Sequence, residues 1–268
     1  MVRKKTSYDP LSSPEDWPNI DSIVTEDNEP IDIFSEKQQR FLITSLYRLW
    51  RGHSKSFIAL VNVGLFYLPD KPPLVPNVLV SLDVKLPDDL WHKFNRSYFV
   101  FQYGKPPEVA IEIVSNLKGK EAGSKFKDYA QAKVRYYVIF DPENQLKKGE
   151  LRIYELHNTD YIEKTDSWLN GIELGLTLWE GYFEDKHDTW LRWYDIDNKV
   201  LLTGDENAKK ERLAKEQAEK QAEQERLAKE QAEKQAEQER LAKEQEHQRA
   251  ERLAAQLRAM GIDPDKEG

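Results

Sequence analysis

The order of apolar and polar positions divides the 268-residue chain into a mixed front part and a uniform back part. A helix is predicted from Ser35, because Gln38 completes a capping-box pattern and an apolar stripe runs from Phe41 to Trp50, ahead of Gly52. Runs rich in β-branched and aromatic residues then predict strands. These runs are 57–67, 78–84, 98–103, 109–114, 135–140 and, after Glu150, the short runs 151–156, 161–164, 176–183 and 189–197.

One stretch predicts how the strands are connected. Between the runs 109–114 and 135–140 lie a polar loop, 119–123, and a helix that Ser124 can cap and that continues to about Lys133. Strand, loop, helix and strand in this order indicate a βαβ-like crossover within a mixed sheet. The later strands contain several Trp residues and are expected to extend this sheet or to cover one of its faces. The fold class is therefore predicted as α+β, with helices flanking a mixed sheet.

The back part is repetitive. The unit ERLAKEQAEKQAEQ occupies 211–224 and again 225–238, and a third copy begins at Glu239. Its residues are good helix formers, with Glu–Lys pairs four residues apart, so a long charged helix is predicted. Only one Leu occurs per two heptads, which leaves two interpretations open: a solvated single helix, or a weak coiled coil that contacts itself or a protein partner. The predicted organisation is a flexible arm (1–34), a folded domain (35–204), a helical tail (205–260) and a disordered end (261–268).

Composition excludes several classes of protein. There is no Cys, and the five His residues are not at metal-ligand spacing, so disulfides, thiolate zinc sites and a Cys nucleophile are excluded. No run approaches the ~20 apolar residues of a membrane span. The basic N-terminus is not followed by an apolar run, so a cytoplasmic protein with no membrane association is expected. The net charge of −8 argues against a generic basic nucleic-acid binder but leaves room for a deep site with a few placed cations.

Glu112 is the first candidate for chemistry. In the strand VAIEIV, alternation places Ile111 and Ile113 on one face and Glu112 on the other. A carboxylate among aliphatic side chains is costly unless it is paired or holds a cation. Lys125 follows 13 residues later in the first turn of the predicted helix, and Tyr129 lies one turn further on the same helix face. Taken singly, these residues are also compatible with a partly wet strand and a solvated helix face.

Together the residues carry a resemblance. The stretch PPEVAIEIVSN, a variable loop and SKFKDYAQAKVRYYVIFDP resemble the signature of a restriction endonuclease domain family that is similar to the PD-(D/E)XK nucleases. The matching positions are Glu112, Ser115, Lys125, Tyr129, Tyr137, Asp141 and Pro142. The resemblance covers about residues 35–200 and implies a restriction-endonuclease-like fold. Val114 stands where the classical motif has its Lys, and the resemblance implies that Lys125 takes over that role.

The resemblance further implies a metal-dependent endodeoxyribonuclease. Glu112 and the carbonyl of Ile113 would hold Mg²⁺ or Mn²⁺, and Lys125 would orient the attacking water and stabilise the transition state, with Tyr129 in support. DNA is the implied partner. A homodimer is one arrangement that would allow two strands to be cut.

The second metal ligand is the weak point of this interpretation. Where the family has Asp, this chain has Asn77, which offers an uncharged amide oxygen and hence a weakened ligand. Asp83 is an alternative acid, although six residues along a strand span ~20 Å, and Glu36 is a further acid in the first helix. The alternative function is a catalytically impaired relative that binds DNA or a protein partner. In a third interpretation, the chain is an interaction protein whose functional part is the helical tail.

Overall fold

The structure is a computed structural model that describes residue 17 and residues 31–50, 56–115 and 123–261. The chain separates into two units, Met1–Asp205 and Glu206–Gly268. Most of the predicted arm (1–34), all but the first residue of the predicted end (261–268), Gly52 and most of the loop 119–123 lie outside the described residues.

The described elements are helices and short strands, followed by one long helix. In chain order they are α1 (Ile33–Trp50), β1 (Phe57–Val61), β2 (Leu65–Phe66), β3 (Val78–Leu82), a 3₁₀ turn (Lys93–Asn95), β4 (Tyr98–Phe99), α2 (Val100–Tyr103), β5 (Val109–Ile113), α3 (Ser124–Gln131), β6 (Tyr136–Phe140), β7 (Leu151–His157), β8 (Asp160–Glu163), β9 (Trp168–Leu169), β10 (Leu174–Phe183), β11 (Lys186–Tyr194) and α4 (Gly204–Ala259).

A six-stranded mixed sheet forms the centre of the first unit. Its spatial order is β1-β3-β5-β6-β7-β8, while β11-β10-β9 form a second sheet and β2-β4 a small pair. Only β5 and β6 are parallel neighbours in the six-stranded sheet, and α3 connects them. The predicted crossover and the predicted α+β class are therefore confirmed.

The two faces of the six-stranded sheet have different coverings. One face, the α1 face, carries the side chains that pack with α1 and the second sheet: Val78, Val80, Ile111, Val138 and Ile153. The other, the α3 face, carries Leu79, Ala110, Tyr137, Ile139 and Tyr154, which pack with Tyr129 and Ala130 of α3. By strand alternation, Ser81, Glu112 and Arg152 also belong to the α3 face. The core therefore consists of two layers that share one sheet.

The strands with Trp residues, β9 to β11, take one of the two expected positions, since they cover a face of the central sheet and do not extend it. β7 and β8 extend the central sheet, whereas β9 to β11 cover its α1 face. Gln38 of α1 exchanges two hydrogen bonds of 2.9 Å with the backbone of Leu191 in β11, and the indole N–H of Trp193 donates to the carbonyl of Leu42. These bonds fix α1 between the two sheets.

Local expectations failed at three places. The run 57–67 is two strands, because Asn62 adopts a left-handed backbone (φ 51°) between β1 and β2. The run 98–103 is strand only at β4 and then turns into the short helix α2. Asp32, rather than Ser35, caps α1, since its carboxylate accepts hydrogen bonds from the backbone N–H and the hydroxyl of Ser35.

The second unit contains most of α4, a 56-residue helix with no buried residue. The pair Glu230–Lys234 forms at 2.8 Å, whereas Lys215 pairs with Glu219. The leucines of successive repeats, Leu213 and Leu227, are about half exposed. The long charged helix is thus confirmed, and its self-association stays a prediction. Among the described helices, none is long and apolar enough to cross a membrane.

Candidate active site

Glu112 lies at the centre of the sheet. β5 is flanked by β3 and β6, and the Glu112 side chain points to the α3 face with only 2% of its surface exposed. The neighbours of Glu112 along the strand are β-formers that bury both faces, and they force the carboxylate into the interior. A buried carboxylate requires partners, which α3 supplies.

Two side chains of α3 contact the two oxygens of this carboxylate. Lys125 Nζ lies 3.1 Å from Glu112 Oε2, and the Tyr129 hydroxyl donates a hydrogen bond of 2.6 Å to Glu112 Oε1. Lys125 and Tyr129 are four residues apart and therefore share one helix face. Burial, together with the negative charge of Glu112, raises the pKa of Tyr129 well above its ordinary value. The hydroxyl therefore keeps its proton and remains a donor.

Asn77 directly precedes β3 and reaches the same end of β5. Its side-chain oxygen accepts a hydrogen bond of 2.7 Å from the backbone N–H of Ile113. The N–H and C=O of one strand residue point to the same side of the strand, so the Ile113 carbonyl is directed toward the side on which Asn77 lies. Asn77 thus closes the β3–β5 ladder at the candidate site.

A cleft of about 1050 Å³ opens over these groups. Asn77, Glu112 and Lys125 line it together with three further acids, Asp32, Glu143 and Asp188. The cleft is large enough for a drug-sized or larger ligand to enter. A buried carboxylate next to an ammonium group, inside an acid-lined cleft, is an arrangement that can bind an ion and polarise a substrate.

The region that contains this cluster also matches a known family. The family model of Uma2, whose description reads "Putative restriction endonuclease", matches residues 23–177. The chain belongs to the Uma2 family. No curated protein matches it. The match includes β5 and α3, and hence Glu112, Lys125 and Tyr129, but it ends before α4. Membership assigns the restriction-endonuclease-like fold to the first unit and sets the repeat helix apart from it.

The alternative acids of this Uma2-family chain lie elsewhere. Asp83 is exposed and follows the far end of β3, six residues or ~20 Å along the strand from Asn77. Its backbone is left-handed (φ 57°) and ends the strand. Glu36 pairs with Arg40 on the exposed side of α1. The structure therefore brings Asn77, Glu112, Ile113, Lys125 and Tyr129 together and does not bring Asp83 or Glu36 to them.

Three cleft acids escaped sequence reasoning. Asp32 comes from the cap of α1, Glu143 from the turn after β6, and Asp188 from β11. Glu143 follows the Asp141-Pro142 stop of a strand, a position that could have been recognised as a strand end facing the site. No local pattern marks Asp32 or Asp188, because their approach to the cleft depends on how α1 and the second sheet pack.

The oxygen donors of the site agree with a hard divalent ion only in part. Among the described residues, no group of three or more His, Cys, Asp or Glu side chains lies together as a metal site. Glu112, the Asn77 amide oxygen and the Ile113 carbonyl remain as donors. Mg²⁺ is commonly bound through one or two carboxylates plus substrate phosphates and water. The donors therefore fit an ion that the substrate helps to bind.

Proposed function

We propose that this protein is a metal-dependent endodeoxyribonuclease that hydrolyses phosphodiester bonds. The observation that carries the proposal is the contact of buried Glu112 with Lys125 and Tyr129 at the edge of the cleft. Family membership supports the reaction class. Nucleases of this fold generally use divalent metals, and the oxygen donors described above are compatible with one.

Each residue has a separate task in this proposal. Glu112, Asn77 and the carbonyl of Ile113 would hold Mg²⁺ or Mn²⁺, which supplies polarisation of the phosphate and a lower pKa of the attacking water. Lys125 places its ammonium group where negative charge develops on the phosphate and orients the water. Tyr129 fixes the rotamer of Glu112 through its hydrogen bond.

Nicking of supercoiled plasmid DNA by the full chain tests the proposal. Cleavage should require Mg²⁺ or Mn²⁺ and should disappear in Glu112→Ala and in Lys125→Ala. Lys127→Ala is the matched control, because Lys127 is exposed on the same helix and does not line the cleft. Cleavage that survives Glu112→Ala, or that falls equally in the control, would contradict these roles.

A second candidate function is DNA binding without cleavage. Asn77 favours it, since this residue offers no negative charge and its oxygen is already engaged by Ile113 N–H. In that case the full chain should bind a DNA duplex in EDTA with an affinity that falls steeply with salt, and should cleave nothing in Mn²⁺. Cleavage by the wild-type chain would reject this candidate.

A further inference from the structure

A second, smaller pocket adjoins the cleft at the turn that follows β1. Its volume is about 370 Å³, which is at the lower end of the range of small-ligand pockets. Asn62 lines the cleft and its chain neighbour Val63 lines the pocket, so the turn separates the two cavities. We call this cavity the Trp91 pocket, and its lining includes Leu60, Val63, Leu90, Trp91, Ser97 and Tyr103.

The Trp91 pocket exposes large apolar side chains to solvent. Trp91 is 83% exposed, Leu90 51% and Leu86 42%, and all three line the pocket. Apolar groups that are exposed together around a concave site mark a place where a ligand or a partner binds. These side chains therefore indicate a binding site beside the cleft.

The backbone that carries Trp91 is fixed in the free protein. Its N–H donates a hydrogen bond of 2.9 Å to Asp89 Oδ1, and its carbonyl accepts one of 3.0 Å from Arg96 Nε. The guanidinium of Arg96 lies 5.9 Å from the centre of the indole ring, within the range of a cation–π contact. The exposed indole is therefore a preorganised stacking surface with a cation beside it.

A buried hydroxyl in the lining of the Trp91 pocket lacks a hydrogen-bond partner. Ser97 is 3% exposed, and its Oγ bonds no group in the described part of the chain. Leaving such a group unbonded costs free energy. Rotation about one side-chain bond can turn the hydroxyl into the pocket, where it can donate to a carbonyl oxygen or accept from an amino group. Nucleobases carry these groups on their edges.

Two features favour a nucleobase over an apolar protein segment as the occupant. The positive charge of Arg96 complements the phosphate to which every base of a strand is linked. The pocket also shares the turn after β1 with the cleft, where the proposed function places the phosphodiester backbone. An apolar segment would account for the exposed leucines but for neither of these features.

We infer that the Trp91 pocket binds one unpaired nucleobase of a DNA strand whose backbone passes through the cleft. The base stacks on Trp91, its edge bonds the Ser97 hydroxyl, and Arg96 offsets the charge of the adjoining phosphate. A base within a duplex cannot enter such a pocket, so the base must be single-stranded or flipped out. The inference rests on the proposed function and names its substrate class, which is DNA with an unpaired nucleotide near the cleaved bond.

Fluorescence anisotropy of the full chain in EDTA, with a short labelled single strand of DNA as the probe, tests this inference. Trp91→Ala should weaken binding about 10-fold, because the stacking of one base is lost, and Trp91→Phe should retain most of the affinity. Tyr182→Ala is the matched control, since Tyr182 is 70% exposed and belongs to the lining of neither cavity. A strand of the same length without bases should bind equally weakly to the wild type and to Trp91→Ala.

Ser97→Ala separates a binding role from a structural one. The substitution breaks no hydrogen bond of the free protein, so the melting temperature should stay at or above that of the wild type. Affinity for the single strand should fall about 3-fold, because the bond to the base is lost. A lower melting temperature with unchanged affinity would overturn the bond between Ser97 and the base.

Several outcomes would overturn the inference as a whole. Equal affinity of the wild type and Trp91→Ala for the single strand would do so, as would an equal loss in Tyr182→Ala. A blunt duplex whose binding depends on Trp91 to the same degree would reject an unpaired base, and tighter binding of the matching RNA strand would reject DNA. If Trp91→Ala converts a dimer into a monomer at unchanged affinity, the pocket is a contact between copies.

Failure of the proposed function gives a different result. The binding measurements contain no metal, so they do not depend on catalysis. If the wild-type chain cleaves no DNA in Mg²⁺ or Mn²⁺ but binds the single strand through Trp91, the proposed nuclease is rejected and the base site stands.

Discussion

The two faces of the central sheet are built from the same strands but serve different purposes. On the α1 face the buried strand residues are apolar, as Ile111 and Val138 illustrate. On the α3 face the same six strands place Ser81, Glu112 and Arg152 in the interior, and these are the buried polar or charged side chains of those strands. A single strand, β5, thus contributes Ile111 to one layer and Glu112 to the other.

Tyrosine hydroxyl groups form hydrogen bonds with buried polar groups in the layer on the α3 face. The hydroxyl of Tyr98 lies 2.9 Å from Ser81 Oγ, that of Tyr129 bonds Glu112, and that of Tyr161 donates to the carbonyl of Val134. Tyrosine rings supply apolar surface while their hydroxyls bond buried polar groups. The α1 face therefore supplies stability, whereas the α3 face holds buried charges in place at a cost in stability.

The largest expected effect comes from Glu112→Gln. The substitution removes a buried charge and leaves an amide that the Tyr129 hydroxyl can still bond. We expect DNA cleavage to fall about 10³-fold, with a free energy of unfolding close to that of the wild type, because Lys125 is 29% exposed and its ammonium group can turn to solvent once its partner is uncharged. Plasmid nicking and urea unfolding measure the two quantities. A destabilised Glu112→Gln would mean that the α3 face is built for stability as well.

The next largest effect is expected from a substitution on the opposite face of β5. Ile111→Ala leaves a cavity in the α1 face, and we expect a loss of about 2–5 kcal/mol in the free energy of unfolding. Cleavage per folded molecule should stay at the wild-type level, because Ile111 points away from the cleft. Urea unfolding followed by Trp fluorescence measures the loss. A loss under about 1 kcal/mol, or a selective loss of cleavage, would erase the contrast between the faces.

The parts of this contrast that local geometry determines could be predicted from the sequence. The opposite orientation of Ile111 and Glu112 follows from strand alternation, and the shared face of Lys125 and Tyr129 follows from helix periodicity. In contrast, Arg152 in the run LRIYEL looks like a solvent-facing residue, since alternation alone does not show that the second face is covered. The strand expected over 98–103 was wrong because its β-forming residues continue into α2 after Phe99, where tertiary packing overrides propensity.

A moderate effect is expected from Asn77→Asp at the edge of the α3 face. One carboxylate oxygen can accept the Ile113 N–H that Asn77 now bonds, which leaves the other oxygen free for a cation. We expect Mn²⁺ affinity, measured by calorimetry, to rise about 10-fold, which corresponds to ~1.4 kcal/mol, and cleavage to rise with it. Asp83→Asn is the control and should leave affinity unchanged. Unaltered affinity in Asn77→Asp would show that position 77 has only a structural task.

The smallest expected effect concerns the ion pairs of Glu184 on the outer surface of α1. Glu184, in the turn between β10 and β11, binds Arg40 and Lys37 of α1, and these hydrogen bonds lower its pKa from an ordinary value near 4.5 to about 2. A lowered pKa contributes stability above pH 4.5 that is lost as the pH falls toward 2. Because the side chain is 38% exposed, solvent screening limits the contribution to less than about 1 kcal/mol. In Glu184→Gln, the free energy of unfolding at pH 7 should therefore fall slightly. Its difference from the wild type should shrink as the pH falls below 4.5 and vanish below pH 2, and a difference that grows on acidification would reject this role.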